Sequence, residues 1–429
     1  MRFFMKKEIT ALLKSSYVKN IVILAGGTGL AQAIGIISSP FTRRIFTPEN
    51  FGLLALITSI VSLLLPIATF TYEQGIMLPR DNKKSVHLGL LSITLAFFLS
   101  LILIILLLFF RYKIALLLNA PTIANWLFVV PFTLLSSVIY LVLYNYNSKL
   151  KAYKRISRTQ ILKSCMAPLV SIPLGLAITN SPLGLILGVL ASSIVGIKGL
   201  LKDVTKDFSL SDEFKISNIK KVAFEYIKFP KFNLAACFAN IASNQVVDIF
   251  LSISVSVALL GQYSLAKMLL SLPIAFIGKS VSQVFYQKIV QTKNEQGDCL
   301  NVFSSTLKTL IVFSLFIFGI AYFLIEPAIN FVYGDQWNQA AKISKLIIPL
   351  MAIRFVSSSL SLTLYAYEKQ QLNLYINLLM LVTLVVLVAT FYTKFDLFNF
   401  LRLYVLTFCV EYLLFIGLFY FVIIRSNNN

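Results

Sequence analysis

Leu88–Phe110 runs for twenty-three residues without a charge, and Leu372–Tyr392 for twenty-one. A helix needs about 20 residues to cross a bilayer core of ~30 Å, so both runs are of spanning length. In lipid the backbone must satisfy its own polar groups, which leaves only helices or closed barrels. A barrel would read as alternating segments of about ten residues, and this chain has none. Charged residues are 13% of the whole, about half the soluble norm of roughly 25%. The chain therefore reads as all-α, a polytopic membrane protein.

The hydropathy pattern predicts about twelve spans. They are 17–46, 50–78, 86–110, 122–147, 157–179, 182–201, 229–253, 257–288, 300–325, 343–367, 372–393 and 398–424. An even number puts both termini on one side. With the N-terminus inside, inner segments hold 26 basic residues and outer segments 8, and Lys267, Lys279, Lys308 and Arg354 fall within spans. Cytoplasmic loops collect Lys and Arg, so both ends are expected in the cytoplasm. The same rule explains the net charge of +21 without a nucleic-acid partner. Trp126 and Trp337 then fall at the outer interface, where aromatic belts sit.

Several chemistries lack their residues. One histidine, His87, cannot build a histidine zinc cluster. The cysteines Cys165, Cys237, Cys299 and Cys409 have no metal-ligand spacing and read as small packing residues. Neither a metal nor a cofactor is expected. No paired catalytic carboxylates stand out, and the longest outer segment is only about Glu326–Lys342. Enzymes of sugar polymerisation usually carry a larger outer domain, so the chain does not read as an enzyme.

The stretch Pro40–Pro79 shows where function is expected. One span ends in Arg43 and Arg44, Thr47-Pro48-Glu49-Asn50 reverses the chain, and the next span ends in Tyr72-Glu73-Gln74. A charge at a bilayer centre costs roughly 2.5–3.5 kcal/mol on insertion scales, so such charges usually face a cavity or a partner. At about 1.5 Å per residue, Lys267 and Arg354 lie near mid-membrane. They are expected to line a path for an anionic substrate, with Arg354 offering a fork and Lys267 a mobile point charge. Snorkelling of Lys267 and a structural bond from Arg354 to a neighbouring helix are the plainer alternatives.

Arg43, Arg44 and Asp248 lie near outer helix ends, and Glu73 and Lys279 near inner ones. Two gates follow: Arg43 or Arg44 with Asp248 outside, and Glu73 with Lys279 inside. The plain alternative is that these side chains reach headgroups. Glu411, deep in the last span, is a candidate proton carrier, with Glu73 and Asp248 as rivals. Pro66 and Pro273 fall mid-span and are expected to bend their helices.

The basic loop near 202–228 divides the chain into an N-terminal lobe, 1–201, and a C-terminal lobe, 229–429. At an offset of 209, Gly52 falls on Gly261, Leu56 on Leu265, Ser62 on Ser271 and Leu63 on Leu272. This weak repeat fits two like-oriented halves, as transporters often have.

Short motifs extend the reading. They are Thr47-Pro48-Glu49-Asn50-Phe51-Gly52, Tyr72-Glu73 with Met77-Leu78-Pro79, Phe229-Pro230, Gly261-Gln262-Tyr263-Ser264-Leu265-Ala266 and Ser271-Leu272-Pro273. Further along come Ser282-Gln283-Val284-Phe285-Tyr286, Tyr333-Gly334-Asp335-Gln336-Trp337 and Arg354-Phe355-Val356-Ser357-Ser358. In order and spacing they resemble the Wzx-type polysaccharide repeat-unit flippases (O-antigen or capsule) of the multidrug/oligosaccharidyl-lipid/polysaccharide exporter superfamily. Relatives often carry Arg where this chain has Thr71 and Lys267.

The resemblance implies two six-helix lobes around a central cavity in the cell inner membrane. It implies alternating access that moves an undecaprenyl-pyrophosphate-linked oligosaccharide to the outer leaflet. H+ and Na+ are the candidate coupling ions, and a polysaccharide polymerase with chain-length machinery is the candidate protein partner. Two other readings stay open: a drug or organic-cation antiporter of the same superfamily, and a membrane polysaccharide polymerase. The mid-membrane cations favour an anionic cargo over an organic cation.

Overall fold

A computed structural model describes residues 16–178, 181–201, 216–295, 298–391 and 396–427. The described residues hold no strand, and twelve helical segments among them are long and apolar enough to cross a membrane. The chain is an all-α polytopic membrane protein. Its contacts separate two units: Met1–Asn50, Ile57–Leu117 and Pro121–Phe238 form one, and Phe51–Leu56, Leu118–Ala120 and Ala239–Asn429 the other. The basic tail before residue 16 and loop residues 202–215 lie outside the described residues.

The first unit contains α1 (Ser16–Ile45), α2 (Pro48–Thr69, which also lends residues to the second unit), α3 (Asn82–Leu117), α4 (Val129–Lys149), α5 (Tyr153–Ala177), α6 (Leu183–Leu201) and α7 (Ile216–Glu225). α5 packs closely on α1 and α6. Lipid gives no hydrophobic drive between helices, so close packing of small residues has to supply it. Of the glycines in α1, Gly27 alone is pressed against a neighbour, the backbone and side chain of Ser157 in α5. Gly188 of α6 is similarly set against the Ala167 carbonyl of α5, 2.7 Å from where a Cβ would stand.

α2 begins as its sequence dictates: the Thr47 hydroxyl accepts from Asn50 N at 3.3 Å, and Pro48 occupies the first turn. It ends nine residues short of the expected 78. Phe70 and Thr71 take left-handed φ angles of 47° and 60°, a conformation that costs bulky residues about 1–3 kcal/mol. Local bonds hold the turn. Thr69 Oγ1 accepts from Thr71 N at 3.1 Å, Thr71 Oγ1 donates to Phe229 O at 3.3 Å, and Asn145 Nδ2 donates to Glu73 O at 3.0 Å. A 3-10 turn, Tyr72–Met77, follows and carries Glu73.

The second unit contains most of α8 (Leu234–Ser254), then α9 (Val257–Pro273), α10 (Lys279–Asn294), α11 (Cys299–Tyr333), α12 (Asn338–Leu360), α13 (Thr363–Ala366), α14 (Gln370–Phe391) and α15 (Leu397–Asn427). α9 and α10 join through a π-helical turn, Ile274–Gly278, directly after Pro273. The missing proline N–H accounts for a defect at this point. α11 runs on to Tyr333, so most of the expected outer segment Glu326–Lys342 is helical; Gly334, at φ 92°, ends it.

Trp337 departs from expectation. It is fully buried with Leu265, Ile329, Tyr333, Ala340 and Ala341, its ring edge-on to Phe51 at 5.7 Å, and not in an interfacial belt. Gln262 fixes the chain beside it, donating to Gln336 O at 2.6 Å and accepting from Ala340 N at 2.9 Å. The outward surface is the reverse of a soluble protein's: Phe109 of α3 and Phe323 and Phe331 of α11 are all largely exposed. Runs of exposed large apolar side chains belong against lipid.

Candidate functional site

α8 carries Asn240, Asn244 and Asp248 at spacings of four. Residues four apart stack on one helix face, so the three form a polar stripe. Asn244 Nδ2 donates back to Asn240 O at 2.8 Å, and the rest of the stripe reaches other helices.

Two cations meet there. Lys267, on α9, places Nζ 3.1 Å from both Asp248 carboxylate oxygens and 3.1 Å from Asn244 O. Arg354, on α12, donates from Nη2 to Asn244 Oδ1 at 2.9 Å. The Lys267 ammonium also lies 5.9 Å from the centre of the Tyr263 ring, and Tyr404 and Tyr412 of α15 stand near the Arg354 guanidinium. At the other end of the stripe, Asn240 Nδ2 donates to Asn377 Oδ1 of α14 at 2.8 Å.

The electrostatics of the two cations differ. Asp248 is largely buried, at 10% side-chain exposure, and Lys267 is partly so, at 28%. Their bidentate contact neutralises both charges, and with Asn244 O the three contacts match the three donors of the ammonium. Arg354 is held by an amide, and among the described residues no carboxylate lies within ion-pair distance of it. Lys267, Asp248 and Arg354 together keep one net positive charge. Arg354 also retains donors of its planar fork beyond the one given to Asn244, a geometry suited to a phosphate oxygen.

The structure thus brings Lys267 and Arg354 onto Asn244, and Asp248 onto Lys267, in the second unit. Asp248 gains in Lys267 a partner that sequence reasoning did not assign. Glu411 is buried on α15, hydrogen-bonded by the Thr383 side chain, with Oε2 making no hydrogen bond among the described residues. Lys279 is exposed where α10 begins, twenty-two residues into the thirty-eight-residue run Val257–Asn294.

In the first unit Arg43 is buried and Arg44, the next residue on the helix, is exposed. Glu73 is buried beside the left-handed turn; burial raises its carboxyl above the usual 4.5, opposed by hydrogen bonds from Thr69, its own backbone N–H and Gln74. Its neighbour Gln74 is held by Asn233 Nδ2 at 3.0 Å.

Sequence reasoning missed the amides. Asn240, Asn244 and Asn377 carry no charge and draw no attention on a hydropathy scale. The signal for Asn240 and Asn244 was their spacing of four with Asp248, which sets the three on one helix face. Lys163, inside the expected span 157–179, lies on α5 with Nζ 3.9 Å from the centre of the Tyr140 ring, a cation–π contact. All four cysteines are free, and the described residues hold no cluster of three or more His, Cys, Asp or Glu able to bind a metal.

Comparisons with known proteins bear on the fold and the family. The lipid II flippase MurJ in an inward closed conformation superposes with a TM-score of 0.71 at 13% identity, covering 95% of this chain and 88% of that one. An inward-facing multidrug resistance MATE family transporter of the MOP superfamily matches with a TM-score of 0.61 at 11% identity, over 96% and 98%. A MOP superfamily transporter from Pyrococcus furiosus, described by the reverse polarity of its binding pocket, matches at 0.56 and 14%, over 97% and 98%. Identities this low show the fold alone. No curated protein matches the chain in sequence. A family model described as polysaccharide biosynthesis protein matches residues 42–342. That match spans more than half the sequence and agrees with the likeness to Wzx-type flippases drawn from the motifs, so the chain belongs to the polysaccharide biosynthesis protein family.

Proposed function

We propose that the protein translocates undecaprenyl-pyrophosphate-linked oligosaccharide repeat units from the inner to the outer leaflet of the cytoplasmic membrane. It does so by alternating access, coupled to an ion gradient, and it is not an enzyme. The observation that carries the reading is Arg354, a guanidinium inside an apolar helix whose hydrogen-bonding partner is a neutral amide. An anionic headgroup arriving there meets an uncompensated charge and a planar fork. Lys267 joins it only by loosening Asp248. Phosphate binding then competes with Asp248 for the Lys267 ammonium, so cargo binding and this ion pair act on one group.

The expected gate residues belong to this reading as well: Arg43 or Arg44 with Asp248 outside, Glu73 with Lys279 inside, and Glu411 as the candidate proton carrier, with Glu73 and Asp248 as rivals. A near-balanced pair of states needs only a small difference in ligand affinity to tip it. The domain division at 202–228 belongs to the same proposal, as do cytoplasmic termini, which the 26-to-8 bias of basic residues supports. A polysaccharide polymerase with its chain-length machinery is the proposed downstream partner.

The test is deletion of the gene followed by lipid analysis. Complete lipid-linked repeat units should accumulate on the cytoplasmic face. Outward-facing unpolymerised units would identify a polymerase instead. A second reading, export of organic cations, draws on the buried carboxylates Asp248 and Glu411. Dye efflux from cells expressing the chain, with lipid-linked units unchanged on deletion, would favour it.

A further inference from the structure

Away from the α8 stripe, a cavity of about 670 Å³ opens where α14 begins and α15 ends. That volume lies within the ~300–1,000 Å³ usual for small-molecule sites. Its polar rim is Lys369, Arg425 and Glu368, and its apolar wall includes Tyr375, Leu418 and Phe421. α14 and α15 are successive spans packed on each other. The start of one and the end of the other therefore share a membrane face, and the rim lies at a water boundary.

The turn bearing the rim is fixed in place. Glu368 has a left-handed φ of 57°, and Lys369 N donates to Leu364 O at 2.7 Å. Lys293 Nζ braces the same turn through Ala366 O at 3.0 Å. One to two helical turns deeper, Tyr375 and Phe421 are 62% and 55% exposed. Charge at the boundary above exposed aromatic surface matches the profile of a phospholipid, headgroup outward and chain inward. Lys369, Arg425 and Glu368 sum to one positive charge and Lys293 behind the turn adds another, so the mouth of the cavity favours an anionic headgroup.

We propose that this cavity holds an anionic phospholipid of the surrounding bilayer. Lys369 and Arg425 take its phosphate, and one acyl chain lies along Tyr375, Leu418 and Phe421. The site is independent of which cargo the transporter moves. Basic pockets between membrane helices recognise such headgroups in general.

The experiment is native mass spectrometry of the full chain in detergent, titrated separately with phosphatidylglycerol and phosphatidylcholine. One phosphatidylglycerol should bind at least tenfold more tightly than phosphatidylcholine. Lys369→Gln with Arg425→Gln should remove that preference, while Lys220→Gln with Lys221→Gln, on α7, should leave it. Equal binding of the two lipids, or unchanged binding by the Lys369/Arg425 variant, overturns the proposal. Displacement by an equal concentration of inorganic phosphate would make this a free-phosphate site, and preference for a prenyl pyrophosphate would make it a cargo site; either overturns it. Should the double variant fail to fold, photoreactive phosphatidylglycerol on the unaltered chain decides. Label within 369–375 or 418–425 is expected, and label only elsewhere refutes the site.

Discussion

Lys267 and Arg354, on α9 and α12, are joined through one residue: Lys267 Nζ donates to Asn244 O at 3.1 Å and Arg354 Nη2 to Asn244 Oδ1 at 2.9 Å. One residue, through its backbone carbonyl and its side-chain amide, thus positions two cations eighty-seven residues apart in the chain. Movement of α8 along its axis would shift both together. The consequences for substitution differ at each member of the cluster.

At Asp248, the loss is one of partnership. Asp248→Asn leaves the Lys267 ammonium partly buried without its counter-charge, at a cost of about 1–3 kcal/mol. Asp248→Asn combined with Lys267→Met removes both charges and should regain most of that stability, because a buried ion pair adds little over apolar packing. Transport should fail in both variants. Thermal unfolding in detergent micelles and complementation of a deletion strain read the two effects separately.

At Asn244, stability and transport should move in opposite directions. Asn244→Asp places a carboxylate beside Arg354 and should raise the unfolding midpoint, since a hydrogen bond to a charged partner is worth roughly 1.5–3 kcal/mol. The same change cancels the free charge of Arg354 and should lower flipping at least tenfold. Arg354→Lys keeps the charge without the fork and should retain partial activity. Lipid-linked oligosaccharide accumulation is the measurement. A fully active Asn244→Asp protein would show that Arg354 needs no free charge.

Glu73 predicts a pH dependence. Its folded-state value lies above the ordinary 4.5 because burial disfavours the carboxylate. Between the two values the unfolded chain releases the proton while the folded one keeps it. Stability from this residue is therefore full below about pH 4.5 and falls as pH rises through the raised value. Glu73→Gln lacks this loss. Its unfolding midpoint relative to wild type should be higher at pH 8 than at pH 4, and a difference that stays constant with pH would refute the assignment.

The small-residue run in α1 predicts a contrast between neighbours. A methyl at Gly27 would overlap Ser157, whereas nothing lies within 4 Å of one at Gly29. Gly27→Ala should cost about 1–3 kcal/mol through forced separation of α1 and α5. Gly29→Ala should be neutral or gain up to about 1 kcal/mol of helix propensity. Unfolding midpoints of the two variants check the difference.

The fold was legible because lipid imposes a crude requirement that sequence meets openly: about 20 apolar residues per span and no unpaired backbone. That is why twelve spans and their approximate limits could be read from hydropathy. Thr47-Pro48 similarly declares a helix start through local chemistry alone. The end of α2 could not be read this way. Phe70 and Thr71 favour no left-handed turn by themselves, and bonds to Phe229 and the hold of Asn145 on Glu73 impose it.

Sequence by itself determined that Lys267, Arg354 and Asp248 had to find partners, because isolated charges are too costly in hydrocarbon. Only the tertiary structure decided which partners. It set Asp248 on Lys267, left Arg354 to an amide, and drew Trp337 from an expected interface into a core. The reason is geometric. Hydropathy fixes how deep a residue sits along a helix, but the rotation of that helix, set by its neighbours through close packing, decides what each side chain meets.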